Sequence, residues 1–265
     1  MHTPSSEAPG IPASCPAEPG EAVDWALFLD VDGSLIDIAD RPDGVVVPAG
    51  LPALLGQLGT ALDGAVALIS GRPLNELDQL FSRSVAAAAG QHGLERRGAD
   101  GALRDPPPLP DRFEQAAELL RAVAEINDGL LFERKSHGLA LHYRGAPPLQ
   151  PVAQEAAEKA ARLTEPGLHL LAGKMVFELR VPGADKGTAV EAFLAEPPFA
   201  GRRPVFVGDD VTDEDGFRAV NARGGLSILI GDRPSLATCR LESPAALRGW
   251  LADLANRLQE SGRDD

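Results

Sequence analysis

Five uninterrupted apolar runs of strand length constrain this chain more than any other feature: Trp25-Ala26-Leu27-Phe28-Leu29, Ala65–Ile69, Val85–Ala89, Val205–Val207 and Leu226–Ile230. A run that is apolar at every position, not at alternate ones, reads as a strand buried on both faces. Helical patterns lie between the runs, at Leu51–Leu58, Leu74–Phe81, Gly187–Leu194, Asp213–Val220 and Pro244–Leu258. In the last of these Leu247, Leu251, Leu254 and Leu258 form one apolar stripe. Strands that alternate with helices require right-handed crossovers, which predicts an α/β fold with a parallel sheet and helices on both of its faces. Ligands of such sheets sit beyond the carboxyl ends of the strands. The polar residues that follow the apolar runs are therefore the ones to examine for chemistry.

The middle of the chain has a different texture. After Pro106-Pro107-Pro108 and Pro110 come a helical stretch at Arg112–Ile126, strand-like Leu130–Glu133 and Leu139–Tyr143, a second helix at Val152–Leu163, and strand-like His169–Leu171 and Met175–Arg180. Helix, two strands, helix, two strands is the order of an antiparallel sheet covered by helices on one face. A second domain is expected at 109–183, inserted into a first made of 23–108 and 184–265. Residues 1–22 are rich in Pro, Ser, Ala, Gly and Glu and have almost nothing to bury, so they are expected to stay disordered.

Composition narrows the partners. A formal net charge of -14 opposes broad binding to nucleic acid or to an anionic membrane surface. An anionic small molecule would need a local basic pocket. The two cysteines, Cys15 and Cys239, are too few for a disulfide framework and are expected to be free thiols in a reducing compartment. No apolar run is long enough to span a membrane, and the first residues lack a signal-like pattern, so a cytoplasmic protein is expected. The sequence is silent on oligomeric state, and a monomer is the simplest expectation.

Four segments carry candidate chemistry. Asp30-Val31-Asp32-Gly33-Ser34 follows the first run. Two carboxylates one residue apart point to opposite faces of a regular strand, so both reach one site only if the chain turns there, which Gly33 permits. An ordinary strand-to-loop junction has the same look. Ser70-Gly71-Arg72 follows the second run, where a hydroxyl and the amides of a helix N-terminus would suit a phosphate oxygen, or where Ser70 simply caps a helix. Lys186 opens the helix on which the chain returns to the first domain. In Gly208-Asp209-Asp210-Val211-Thr212-Asp213-Glu214-Asp215, five acids crowd the end of a buried strand. Their repulsion is relieved by a hard cation such as Mg²⁺ or Ca²⁺, while no Cys/His cluster suits zinc.

Taken together, these segments resemble the four motifs of the haloacid-dehalogenase-like (HAD) phosphatases, with Asp30/Asp32, Ser70, Lys186 and Asp209/Asp210/Asp213 in the matching order. The resemblance implies a Rossmann-like HAD core with an inserted α/β cap. It implies Mg²⁺ held by Asp30, the carbonyl of Asp32 and Asp209, with Asp210 and Asp213 orienting ligands, waters or Lys186. It also implies that Asp30 is the nucleophile, Asp32 the general acid and base, and Ser70, Gly71 and Lys186 the phosphate-binding groups.

Within the insert, 132–144 and 173–180 look like the cap signatures of trehalose-6-phosphate phosphatases, and Gln91-His92-Gly93 adds support. By that similarity Glu133, Lys135, His137, Arg144, Lys174 and Glu178 are candidates for binding the sugar of a small-molecule sugar phosphate. Two readings compete with this one. The core chemistry is shared with phosphatases for sucrose phosphate, mannosylglycerate phosphate or hexose phosphates, and a sugar-phosphate-binding module without catalysis would use many of the same groups.

Overall fold

The computed structural model describes residues 10–15, 24–38, 44–104, 108–135, 137–173, 175–181 and 185–261. In chain order its elements are β1 (Trp25–Leu29), α1 (Leu51–Ala61), β2 (Val66–Ile69), α2 (Leu74–Phe81), β3 (Ala87–Gly90), β4 (Glu95–Arg97), β5 (Leu103–Arg104), α3 (Phe113–Glu125), β6 (Leu131–Lys135), β7 (Gly138–His142), α4 (Gln150–Leu163), β8 (His169–Gly173), β9 (Val176–Arg180), α5 (Lys186–Leu194), β10 (Arg203–Gly208), α6 (Glu214–Asn221), β11 (Leu226–Ile230), β12 (Cys239–Leu241) and α7 (Pro244–Ser261). The chain divides into two compact units, Met1–Asp105 with Asp185–Asp265, and Pro106–Ala184.

The first unit is built on a sheet of order β12-β11-β10-β1-β2-β3-β4-β5. Its first six strands run parallel, and β4 and β5 add an antiparallel edge. All five apolar runs are strands of this sheet. β1 lies between β10 and β2, and each of its residues is buried. Phe28 packs against Phe193 and Phe199, which fixes α5 and the following turn on one face of the sheet. Burying one such ring contributes roughly 2–3 kcal/mol.

The polar edge strands have no apolar run to announce them. β4, Glu95-Arg96-Arg97, is held by side-chain ties instead: buried Arg97 donates to the carbonyl of Ala86 at 2.7 Å and to Asp78 Oδ2 at 2.8 Å.

The N-terminal segment corrects two expectations. Residues 10–15 are not outside the fold, because Cys15 N–H donates to Arg240 O and Arg240 N–H to Ala13 O, placing them alongside β12. That pairing brings Cys15 to Cys239, and the two form a disulfide across a sequence separation of 224. The thiols are therefore not free, and the reducing compartment inferred from them loses its ground. The rest of the expected tail, 1–9 and 16–22, lies outside the described residues. No helix among the described residues is long and apolar enough to cross a membrane.

The second unit is a four-stranded antiparallel sheet of order β6-β7-β9-β8. Residues that pair across strands share a face, so the registers separate its two sides. Leu139, Leu141, Phe177 and Leu179 share a face with Phe132. They are buried, and α3 and α4 pack against the sheet. Glu133, Lys135, His142, Glu178 and Arg180 share the other face, with Gly138 and Ala140 leaving room between them.

Candidate active site

Three adjacent strands bring the first-unit candidates together. In the parallel register Leu29 pairs with Val207 on one side and Leu68 on the other, so the next positions beyond β10, β1 and β2 lie side by side. Asp209, Asp30 and Ser70 occupy these strand ends. The ladder continues one bond further, with Asp30 N–H donating to Val207 O at 2.9 Å.

Asp30 is only 3% exposed, and both of its oxygens are engaged. Lys186 Nζ donates to Oδ1 at 2.6 Å and Ser34 Oγ donates to Oδ2 at 2.9 Å. Lys186 is delivered by the first turn of α5, where Asp185 accepts from Thr188 N–H and Thr188 accepts from Asp185 N–H in a reciprocal cap. Such a cap contributes about 1 kcal/mol and fixes where the lysine leaves the helix. The same Nζ donates to Asp213 Oδ1 at 2.6 Å. Burial pushes the Asp30 carboxyl up to about 6, against the opposing effect of Lys186. Burial acts to lower the Lys186 pKa, but Asp30 and Asp213 outweigh it and the ammonium is held above its ordinary value.

The five-acid run divides by position. Asp213 is fully buried, and its Oδ2 accepts from the amides of Asp209 and Asp210 at 3.0 and 2.9 Å. Glu214 pairs with Arg233 and Asp215 with Arg218, and neither belongs to the group of carboxylates close enough to share a cation. Asp210 is exposed, and Asp213 is the acid that meets Lys186. Carboxylate oxygens of Asp30, Asp209 and Asp213 all lie within 4.8 Å of one another. Asp209 is pushed up to about 6 by burial and by repulsion from Asp213, and Asp213 to about 6 by burial and by Asp30. Three carboxylates against one lysine leave an excess of negative charge. The donors are hard oxygens, a set that fits a divalent cation such as Mg²⁺. Of the three, Asp30 and Asp209 line the open cavity at these strand ends and Asp213 does not, so Asp30 and Asp209 are the acids placed to hold it.

Gly33 is required by this packing. Its φ is +82°, and a Cβ there would stand 2.1 Å from Asp209 Oδ2, inside the carboxylate.

The other motif carboxylate, Asp32, is gripped by Arg72, whose Nε and Nη2 donate to its two oxygens at 2.7 Å each while Nη1 reaches Glu76 at 3.1 Å. The fork fixes the plane of the Asp32 carboxylate. Ser70 is buried, and its Oγ accepts from Arg72 N–H at 3.1 Å. It does not stand at a helix N-terminus as expected, since α2 begins four residues later behind Pro73, and the first amide of that helix, Leu74 N–H, donates to Glu95. A cavity of about 590 Å³ opens here, lined by Asp30, Asp32, Ser70, Gly71, Lys186 and Asp209 together with Arg72 and His92. Arg72 and His92 adjoin the motif residues in the sequence, but their motifs alone assign neither a role. For Arg72 the signal was present, an arginine two residues after the motif serine.

In the second unit Lys135 Nζ donates to Glu178 Oε1 at 2.6 Å, Arg180 pairs with the other oxygen of Glu178, and His142 Nε2 lies 2.9 Å from Glu133. Arg180 and His142 were missed because only the register shows which alternate residues share the polar face. Glu178 is held below its ordinary value: burial acts to raise it, and Lys135 and Arg180 more than offset that. His137 lies in the β6–β7 turn, and its Nδ1 is buried without a hydrogen-bond partner among the described residues. Arg144 is exposed just after β7, and Lys174 lies outside the described residues.

The family model described as "Trehalose-phosphatase" matches residues 28–245. A probable trehalose-phosphate phosphatase of Sinorhizobium fredii is 48% identical over 233 residues, covering 87% of this chain and 88% of the relative. A trehalose-6-phosphate phosphatase of Escherichia coli is 40% identical over 245 residues, covering 91% of each chain. A crystal structure of a trehalose-6-phosphate phosphatase related protein superposes with a TM-score of 0.68 at 25% identity, covering 89% of this chain and 99% of that one. With a family match over most of its length and such relatives along nearly the whole of both chains, this chain belongs to the trehalose-phosphatase family.

Proposed function

We propose that the chain hydrolyses trehalose 6-phosphate to trehalose and inorganic phosphate, the last step of trehalose biosynthesis, through an aspartyl-phosphate on Asp30. The observation that carries this reading is the setting of Asp30, a buried carboxylate at a strand end with Lys186 on one oxygen and Asp209 beside it. Mg²⁺, held by Asp30, Asp209 and the carbonyl of Asp32, would neutralise the phosphate dianion and polarise it toward attack.

The chain's own groups account for the remaining steps. A carboxylate oxygen of Asp30 bonds to phosphorus as the bond from phosphorus to the sugar oxygen breaks. A sugar alkoxide leaves poorly, so the Asp32 carboxyl gives it a proton. Asp32, then ionised, takes a proton from the water that attacks phosphorus, the bond to Asp30 breaks, and phosphate leaves. Lys186 stabilises negative charge on the transferring group, and Ser70 and Gly71 bind its oxygens. Asp213 orients Lys186.

The catalytic core is assigned to the first unit and sugar recognition to the second, as a cap. Glu133, Lys135 and Glu178 share one polar face, and with His137, Arg144 and Lys174 they supply the charged donors and acceptors that sugar hydroxyls need. A sugar that lacks a hydroxyl would leave such a group unpaired, which is the basis of discrimination. A cytoplasmic setting belongs to the same reading, since a phosphorylated sugar does not cross a membrane unaided.

A panel of sugar phosphates at equal concentration, read by phosphate release with Mg²⁺ and again with chelator, tests the proposal. The highest kcat/KM is expected for trehalose 6-phosphate. A higher value for sucrose phosphate, mannosylglycerate phosphate or a hexose phosphate would move the substrate, and no release at all would leave a binding module.

A further inference from the structure

The acidic loop is held from two sides, and only one of them belongs to the site. From inside, Asp213 accepts from the amides of Asp209 and Asp210. From outside, Arg233, in the turn after β11, donates through Nε to Asp209 O at 2.8 Å and through Nη2 to Asp210 O at 2.6 Å. The peptide that joins Asp209 to Asp210 is thus bonded at both its carbonyl and its N–H. Its rotation, which would redirect the Asp209 backbone and the side chain it carries, costs hydrogen bonds on both faces.

The guanidinium is itself fixed. Its Nη1 meets Glu214 Oε1 at 2.5 Å and Pro234 O at 2.9 Å, and Glu214 Oε2 accepts from Leu236 N–H at 2.9 Å. Arg233 and Glu214 are both largely buried, with side chains 27% and 17% exposed. Their charges cancel, so the brace adds no net charge beside the carboxylates. Arg233 thus serves three carbonyls and a carboxylate with four N–H groups spread along a planar fork, where a lysine would offer three on one nitrogen.

We infer that Arg233 is a positioning residue for divalent-cation binding: with Glu214 it locks the backbone that aims the Asp209 carboxylate at the cation. The inference rests on the reading of Asp30 and Asp209 as cation ligands. Groups that orient metal ligands typically affect affinity 10- to 100-fold when removed.

The test is Mn²⁺ binding by the full-length chain, read as the loss of the free-ion electron paramagnetic resonance signal, alongside phosphate release titrated with Mg²⁺. Arg233→Met keeps the bulk of the stem and removes every donor. It is expected to bind Mn²⁺ about 10-fold more weakly and to need correspondingly more Mg²⁺ for half-maximal activity, with little change in KM for substrate. Glu214→Gln, which leaves the carbonyl bonds in place, should fall between it and the parent. An unchanged Mn²⁺ affinity in folded Arg233→Met overturns the inference, as does a loss of activity that excess Mg²⁺ does not restore while Mn²⁺ affinity is unchanged. If that variant does not fold, Arg233→Lys decides: it cannot donate to both carbonyls in the same geometry, so parental affinity refutes the brace and weakening of about 3-fold or more supports it. A parent chain that binds no Mn²⁺ sinks the cation reading and this inference with it.

Discussion

The two motif carboxylates, two residues apart, are held by different cations. Asp30 is buried against the ammonium of Lys186, a compact point charge that also pairs with Asp213. Asp32 is held broadside by the planar fork of Arg72. In the proposed mechanism Asp30 becomes covalently bonded and Asp32 only exchanges a proton, so Asp30→Asn should still bind substrate while kcat falls by about three orders of magnitude or more. A near-parental kcat would exclude Asp30 as the nucleophile. If Arg72 acts by orienting Asp32, Arg72→Ala should lower kcat by roughly 10- to 100-fold in the parent and by much less in an Asp32→Asn background. Equal losses in the two backgrounds would assign Arg72 to binding the phosphate directly.

At the scale of elements, legibility in the sequence followed burial. β1, β2, β3, β10 and β11 were readable because a strand covered on both faces must be apolar throughout. Their polar ends then marked Asp30, Ser70 and Asp209 as neighbours. β4 and β5 were not readable, since they are held by antiparallel pairing to β3 and to each other and by the side chains of Arg97 and Arg104, contacts that no local pattern of apolar residues records. The fork also explains why Asp78 titrates low: burial acts to raise it, but hydrogen bonds from Arg97 and Arg83 prevail and hold it below 3.8. A depressed folded-state pKa contributes stability above the ordinary value and loses it as pH falls through the folded value. Asp78→Asn should therefore cost about 1–3 kcal/mol at pH 7, discounted from a fully buried pair because Asp78 is partly exposed. Urea unfolding of both proteins should show the gap closing below about pH 3.8. A gap constant down to pH 2 would mean the loss comes from packing.

For the whole molecule, the change from apolar, parallel strands to an antiparallel stretch was legible as a change in texture. What the sequence hid was the tie between its ends. Residues 10–15 have little to bury and look like solvent-exposed chain, yet they lie along β12 because its edge offers backbone partners that any residue type can meet. Cys15 and Cys239 then become neighbours despite their separation of 224 residues, a relation that spacing alone cannot suggest. A cross-link closing so long a loop removes much conformational freedom from the unfolded chain. The chain-entropy argument gives an upper figure of about 5 kcal/mol, and measured effects are usually 2–4 kcal/mol. Cys15→Ser should lower the unfolding free energy of the first unit, read from its urea midpoint and slope, by an amount in that range, and reductant should lower the parent to the same level while leaving the variant unmoved. Because the sulfurs are remote from the carboxylates, with Cys239 on the far edge strand, three strands over from β1, kcat/KM of the folded variant should match the parent. Equal midpoints for oxidised parent and variant would show that the backbone pairing along β12, and not the covalent bond, secures the segment.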